Sequence, residues 1–161
     1  MQDETLVRQL DRSGALGWVA FEPMLDLLSA VSMELGASEV AQEYERAVTG
    51  LVASPILAPL IKPLVRILGA RTMPVAFPRG WAMLTRDVAR VESWIDESAS
   101  WLRFHDVPEE IAAHPMLEVA LTATIRAVVK RVDPDSRVWM AAEGGPLTIG
   151  THSPSIRASS S

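Results

Sequence analysis

Cysteine is absent from the 161-residue chain, which removes disulfides, thiolate metal sites and a cysteine nucleophile together. Basic residues are outnumbered, 15 Lys and Arg against 20 Asp and Glu. They are scattered singly and form no stripe, so no surface is built to track phosphates and no nucleic-acid partner is expected. No uncharged apolar run is long enough for a bilayer. The greasiest stretch, Leu51 to Leu68, contains Lys62 and Arg66 together with Pro55, Pro59 and Pro63. Charges near mid-bilayer cost about 2.5 to 3.5 kcal/mol each, so no membrane span is expected there. The N-terminal MQDETLVRQLDRSG lacks a positive cap followed by an apolar run, and a cytoplasmic location is the expectation. Also missing are GxSxG, a phosphate-cradling glycine loop and a one-turn histidine pair of the HExxH kind.

What remains is an ordinary globular composition, 48% hydrophobic and 22% charged with a net charge of −5. Residues 1–152 are expected to form one domain able to bury its own core, with a helical part over 1–70, a sheet-plus-helix part over 71–152 and a disordered polar tail over 153–161. Leu6, Val7 and Leu10 carry helical spacing between Thr5 and Arg12. Met24, Leu27, Leu28, Val31 and Leu35 form one stripe of a helix opened by Glu22-Pro23 and closed by Gly36. Ser38 is placed as the cap of a helix carrying Val40, Tyr44, Ala47, Val48 and Leu51, with Glu39 in its first turn. Pro55 suits the first position of a further helix bearing Leu57, Leu60, Ile61, Leu64, Val65 and Leu68.

After Gly69 the texture changes. ARTMPVAFPRGW reads as a loop or short irregular helix. Val88 to Asp96 alternates, with Ala89, Val91, Ser93 and Ile95 on one face and Arg90, Glu92, Trp94 and Asp96 on the other. Ser100 to Phe104 returns with Leu102 and Phe104 opposite Trp101 and Arg103, which makes a hairpin turning at Glu97-Ser98. From His114-Pro115 a regular helix holds Leu117, Ala120, Leu121, Ile125, Val128, Val129 and Val132 on one face, and Asp133-Pro134 ends it. RVWMAAE and PLTIGTH then flank Gly144-Gly145 as a second hairpin with Val138, Met140, Leu147 and Ile149 inward. The fold expected is α+β: an N-terminal helical layer, then hairpin, helix, hairpin in a four-stranded antiparallel sheet.

Trp94, Trp101 and Trp139 fall opposite Ile95, Leu102 and Met140, so both sheet faces carry apolar surface. Something has to cover each: the chain's own helices, a partner subunit or a ligand. HDVPEEIAAH gathers the densest set of reactive side chains, in which His105, Glu109 and His114 are the weak candidates for a metal site. A solvated loop, with His114 capping the helix, is the plainer reading.

EYERAVTGLVASPILAPLIKPLVRILGARTMP, RVESWIDESASWLRFHDVP, HPMLEVALTATIRAVV and RVWMAAEGGPLTIGT together resemble a myxobacterial paralogous family of uncharacterised proteins. That family is similar in layout to heme-NO-binding domains, four-vinyl-reductase sensor domains and Bet3-type domains. The resemblance spans roughly Trp18 to Thr151 and implies a sensor-like module with a hydrophobic small molecule held between helices and sheet. Heme itself is not implied, because the only tyrosine, Tyr44, stands in EYERA and not in a Tyr-x-Ser-x-Arg motif, and neither His105 nor His114 matches the heme ligand. No cofactor is expected. The first functional expectation is therefore a non-catalytic module binding a small apolar ligand in a pocket lined by Tyr44, Val48, Leu64, Trp94 and Trp101. Its rivals are an interaction or scaffold protein acting through a homodimer or partner interface, and a metal-dependent hydrolase on His105, Glu109 and His114.

Overall fold

The computed structural model describes residues 21–55, 58–59, 62, 74–82, 85, 88–141 and 147–154. Helix α1 (Phe21–Leu35) is followed after one residue by α2 (Ala37–Val52). That residue is Gly36, at φ 90 and ψ 147. It donates its N–H to Ser32 O while its own carbonyl accepts from Val40 N, so one helix closes and the next opens on a single glycine. A side chain would be strained at this φ, and the junction explains why Ser38 lies inside the first turn of α2 and makes no cap. Beyond α2, Ala58 N–H reaches Ser54 O at 2.8 Å, the bond required of a helix entered at Pro55. Ala58, Pro59 and Lys62 are helical, while the rest of the helix expected over Leu57–Leu68 and all of that over Thr5–Arg12 lie outside the described residues, as do the Gly144-Gly145 turn and nearly all of the tail.

Four antiparallel strands follow: β1 (Arg90–Ile95), β2 (Ser100–His105), β3 (Arg137–Met140) and β4 (Thr148–His152), in the order β1-β2-β4-β3. Between β2 and β3 lie a single-turn α3 (Glu109–Ala112) and the long α4 (Leu117–Val129). The α+β expectation holds. Strand β1 starts two residues later than its alternation suggests, because Arg90 already pairs with His105, the last residue of β2; Ala89 O accepts the Trp81 indole N–H at 3.1 Å. Residues 74–82 are helical, and they bring Phe77 and Trp81 against Phe104 with ring centroids 6.2 and 5.3 Å away.

The inner sheet face carries Leu102, Phe104 and Ile149, all buried, with Val91, Val138, Met140 and Leu147 half-buried around them. Leu117, Leu121, Ile125 and Val129 of α4 complete the same core. Ala123 and Ala127 are buried as well, although a count of large apolar residues passes over them. They share a side of α4 with Thr124, the side that α2 packs against. Glu45 of α2 reaches Arg126 at 3.4 Å and Lys130 at 3.2 Å. Small side chains thus let α2 lie close along α4, and the layers run sheet, α4, α2.

Helix α1 corrects the expected stripe. Leu25, outside that stripe, is its fully buried member, whereas Leu27, Val31 and Leu35 are exposed. Met24 and Leu28 of the expected stripe do pack, half-buried, against the core beside Leu25. No described helix is long and apolar enough to cross a membrane.

Candidate functional site

Alternation along the strands sends Trp94, Trp101 and Trp139 to the outer sheet face, opposite Leu102 and Met140. Register then aligns them. Trp94 pairs with Trp101, Trp101 with Gly150, and Gly150 with Trp139, so one row crosses all four strands. Trp94 and Trp101 stack with planes 15° apart and centroids at 6.1 Å, and Trp139 meets Trp101 edge-on at 82° and 5.7 Å. Gly150 makes the row possible, because a Cβ there would stand 2.5 Å from Cε2 and Cζ2 of Trp139 and 2.9 Å from Cζ3 of Trp101. The Arg103 guanidinium lies 4.7 Å above the Trp94 ring.

The β1–β2 turn locks one end of the row. Asp96 Oδ1 accepts hydrogen bonds from Ser98 N–H, Ser98 Oγ–H and Ala99 N–H at 2.7 to 2.9 Å, and its Oδ2 accepts the Trp101 indole N–H at 2.7 Å. Donors gathered on the carboxylate, led by the Ser98 hydroxyl, hold the Asp96 pKa down at about 2. A hairpin cap and an indole are therefore tied through one side chain.

The pocket expected from sequence does not assemble from the residues named for it. Tyr44 belongs to the helical side, where its hydroxyl donates to Met24 Sδ at 3.6 Å. Burial pushes its pKa up. Val48 lies one turn further along α2 and is half-buried. Trp94 and Trp101 lie on the far side of the sheet, with α4 and the sheet between them and Tyr44. Leu64 lies outside the described residues. The physical reason is the period of two in β1 and β2: with Leu102 and Phe104 in the core, Trp101 and Arg103 have to face away from it.

A cleft does open between helices and sheet, at the other end of β2. It is open to solvent, spans about 510 Å³ and is lined by Phe104, His105, Asp106, Val107, Ala112, Leu117 and Leu147. Phe104 and Leu147 come from the inner sheet face, Ala112 and Leu117 from α3 and α4, His105 from the end of β2, and Asp106 and Val107 from the loop that follows. Asp106 sits at φ 57, the only non-glycine with positive φ among the described residues, and its carboxylate is 3.5 Å from Arg90 Nε. The wall is mainly apolar with polar groups at one end, which suits a small molecule with an apolar body.

The metal candidates are not brought together. His105 Nε2 is 3.0 Å from Glu92 Oε2, whereas His114 Nε2 is 3.2 Å from Asp26 Oδ1 on α1. His114 Nδ1 accepts the Met116 N–H at 3.2 Å, so its Nε2 carries the proton and donates to Asp26. His114 thus braces the start of α4 against α1. Among the described residues no group of three His, Asp or Glu is placed to hold a metal ion.

Comparison with protein-family models, with curated proteins and with solved structures yields no match to this chain.

Proposed function

We propose that the chain is a non-catalytic binding module that takes a small, largely apolar molecule into the cleft between the sheet and helices α3 and α4. The cleft itself carries this reading. Its volume of about 510 Å³ falls within the roughly 300 to 1,000 Å³ usual for small-molecule sites. Phe104, Val107, Ala112, Leu117 and Leu147 supply apolar wall, while His105 and Asp106 supply polar groups that can orient one end of a ligand. The resemblance to sensor-like domains that hold hydrophobic molecules between such layers points the same way.

The test is native mass spectrometry after incubation with cell extract. Wild-type protein should retain a small-molecule adduct, and Ala112→Trp should not, because an indole at this exposed helical position would fill the cleft without entering the core. Circular dichroism checks that the variant folds. Equal retention by the two proteins, or none by the wild type, contradicts the proposal.

A second reading, an interaction module, is favoured by the indole row, in which Trp139 keeps 36% of its surface exposed. Light scattering tests its homodimer form: a dimer that Trp139→Ser dissociates supports it, and a strictly monomeric chain removes it.

A further inference from the structure

The register that aligns the indoles also sorts the charges. Arg90, Glu92, Arg103, His105, Arg137 and His152 are the ionisable residues of the four strands, and alternation sends all of them to the outer face with Trp94, Trp101 and Trp139. Three arginines therefore meet one glutamate there, on a chain whose net charge is −5. Scattered along the sequence they gave no reason to expect a nucleic acid; gathered on one face, they do. The sheet residues that pack beneath the helices all belong to the inner face. Carboxylates near the outer face are already engaged: Glu92 by His105 at 3.0 Å, Asp106 by Arg90 at 3.5 Å, and Asp96 by the turn and the Trp101 indole. Arg103 and Arg137 form no ion pair among the described residues. The Arg103 guanidinium rests over Trp94, and its Nε is buried without an acceptor. Arg103 stands two residues after Trp101 on β2, and Arg137 two residues before Trp139 on β3. In the antiparallel register these positions fall on opposite sides of the indole row, so a cation without a carboxylate flanks it on each side.

We propose that the outer sheet face binds single-stranded nucleic acid, with bases stacked on the indole row and phosphates drawn to Arg103 and Arg137. This rests on the interaction reading of that face, for which it names a partner, and is independent of the cleft. The row crosses three strand spacings, roughly 14 Å, which is room for two or three bases on a four-stranded sheet. Trp139, the most exposed of the three indoles, is the leading platform. A duplex keeps its bases inside its own stack, and an acidic peptide answers the arginines but offers no planar groups to the row. A second copy would set Arg103 and Arg137 against arginines of the same face.

Fluorescence anisotropy with a labelled oligothymidylate of about ten nucleotides tests the proposal on the full chain. The unlabelled strand, its duplex with oligoadenylate and inorganic polyphosphate serve as competitors. The strand should bind, and the slope of log affinity against log salt should be about −0.7 for each phosphate contacted. Trp139→Ala should weaken binding by about tenfold. Arg137→Glu should weaken it by a similar factor and make the salt slope shallower by about 0.7. Both side chains are exposed, so circular dichroism should show both variants folded. No binding at low salt, unchanged affinity in both variants, or competition by polyphosphate or duplex equal to that of the unlabelled strand overturns the proposal, the last because charge alone would then suffice. A dimer in sedimentation that Trp139→Ala dissolves also overturns it, since a second copy would be the occupant, but leaves the interaction reading of the face intact.

Discussion

Replacing Gly150 by alanine puts one methyl group where the row of indoles has left no room. The new Cβ would stand 2.5 Å from two atoms of Trp139 and 2.9 Å from one of Trp101, against about 3.5 to 4.0 Å for carbon atoms in comfortable contact. The Trp139 ring therefore has to retreat by roughly 1 Å or swing outward. Overpacking of this kind costs about 1 to 3 kcal/mol, and restricting the unfolded chain returns about 0.4 to 1 kcal/mol. Trp139 is 36% exposed but is held edge-on against Trp101, so the overpacking cost should fall near the middle of that range and the net loss should be about 1 to 1.5 kcal/mol. Urea unfolding followed by far-UV circular dichroism measures it without depending on the indoles as reporters. The sharper readout is the cycle with Trp139→Ala, in which two of the three close contacts vanish. In that background Gly150→Ala should cost under about 0.5 kcal/mol, leaving a coupling of about 1 kcal/mol between the positions. A neutral Gly150→Ala, or the same cost in both backgrounds, refutes the packing described for the outer face.

Four further outcomes follow from the same geometry. Asp96 has its pKa depressed to about 2, so the stability it contributes is present above its unfolded value near pH 4 and is lost as pH falls towards 2. The Trp101 indole N–H resonance should titrate with that midpoint, and a midpoint near 4 contradicts the hydrogen bonding of the turn. Tyr44, the only tyrosine, has a raised pKa because it is buried. Its contribution holds below pH 10 and is lost as pH rises through the higher folded value; an absorbance titration with a normal midpoint would contradict this. Leu25→Ala should cost about 2 to 5 kcal/mol, because Leu25 is fully buried, and a loss below 1 kcal/mol in urea unfolding would show that α1 is not anchored there. Glu45→Gln should cost about 1 kcal/mol in low salt and less in high salt, as it weakens the pairing of α2 with Arg126 and Lys130 on the rim of α4; a loss independent of salt would assign the cost to packing.

Much of the fold was legible because its signals are local. The alternation of Trp94, Trp101 and Trp139 against Leu102 and Met140 needs only a few neighbouring residues to read, and it placed the indoles correctly on one face. Strand order and the Trp94–Trp101–Gly150–Trp139 register depend on contacts distant in sequence, which no window reveals. Helix α1 was misread for a related reason. It carries apolar residues over more than one side, and only the position of the packed elements decides that Leu25 is fully buried and that, of the expected stripe, Met24 and Leu28 pack against the core while Leu27, Val31 and Leu35 stay exposed. Ala123 and Ala127 escaped notice because small residues score weakly, although their size is what lets α2 approach. The four-residue α3 is too short to show a period.

The candidate cleft was legible only in part. HDVPEEIAAH drew attention for its imidazoles and carboxylates, yet what its residues contribute is a wall: His105, Asp106, Val107 and Ala112 line the cleft, and His114 braces α4. Phe104, Leu117 and Leu147 join them only through the tertiary fold, and nothing in sequence foretells the positive φ of Asp106. The pocket residues named from sequence, Tyr44 and Val48 with Trp94 and Trp101, failed as a set because both sheet faces were treated as one space.

The most direct measurement is an amide chemical-shift map of the protein titrated with anilinonaphthalene sulfonate, a small apolar probe with one polar end. Shifts centred on Asp106, Val107, Ala112, Leu117 and Leu147, abolished in Ala112→Trp, are the result predicted for a binding module that uses this cleft. Shifts confined to the indoles of Trp94, Trp101 and Trp139, or none at saturating probe, would contradict it.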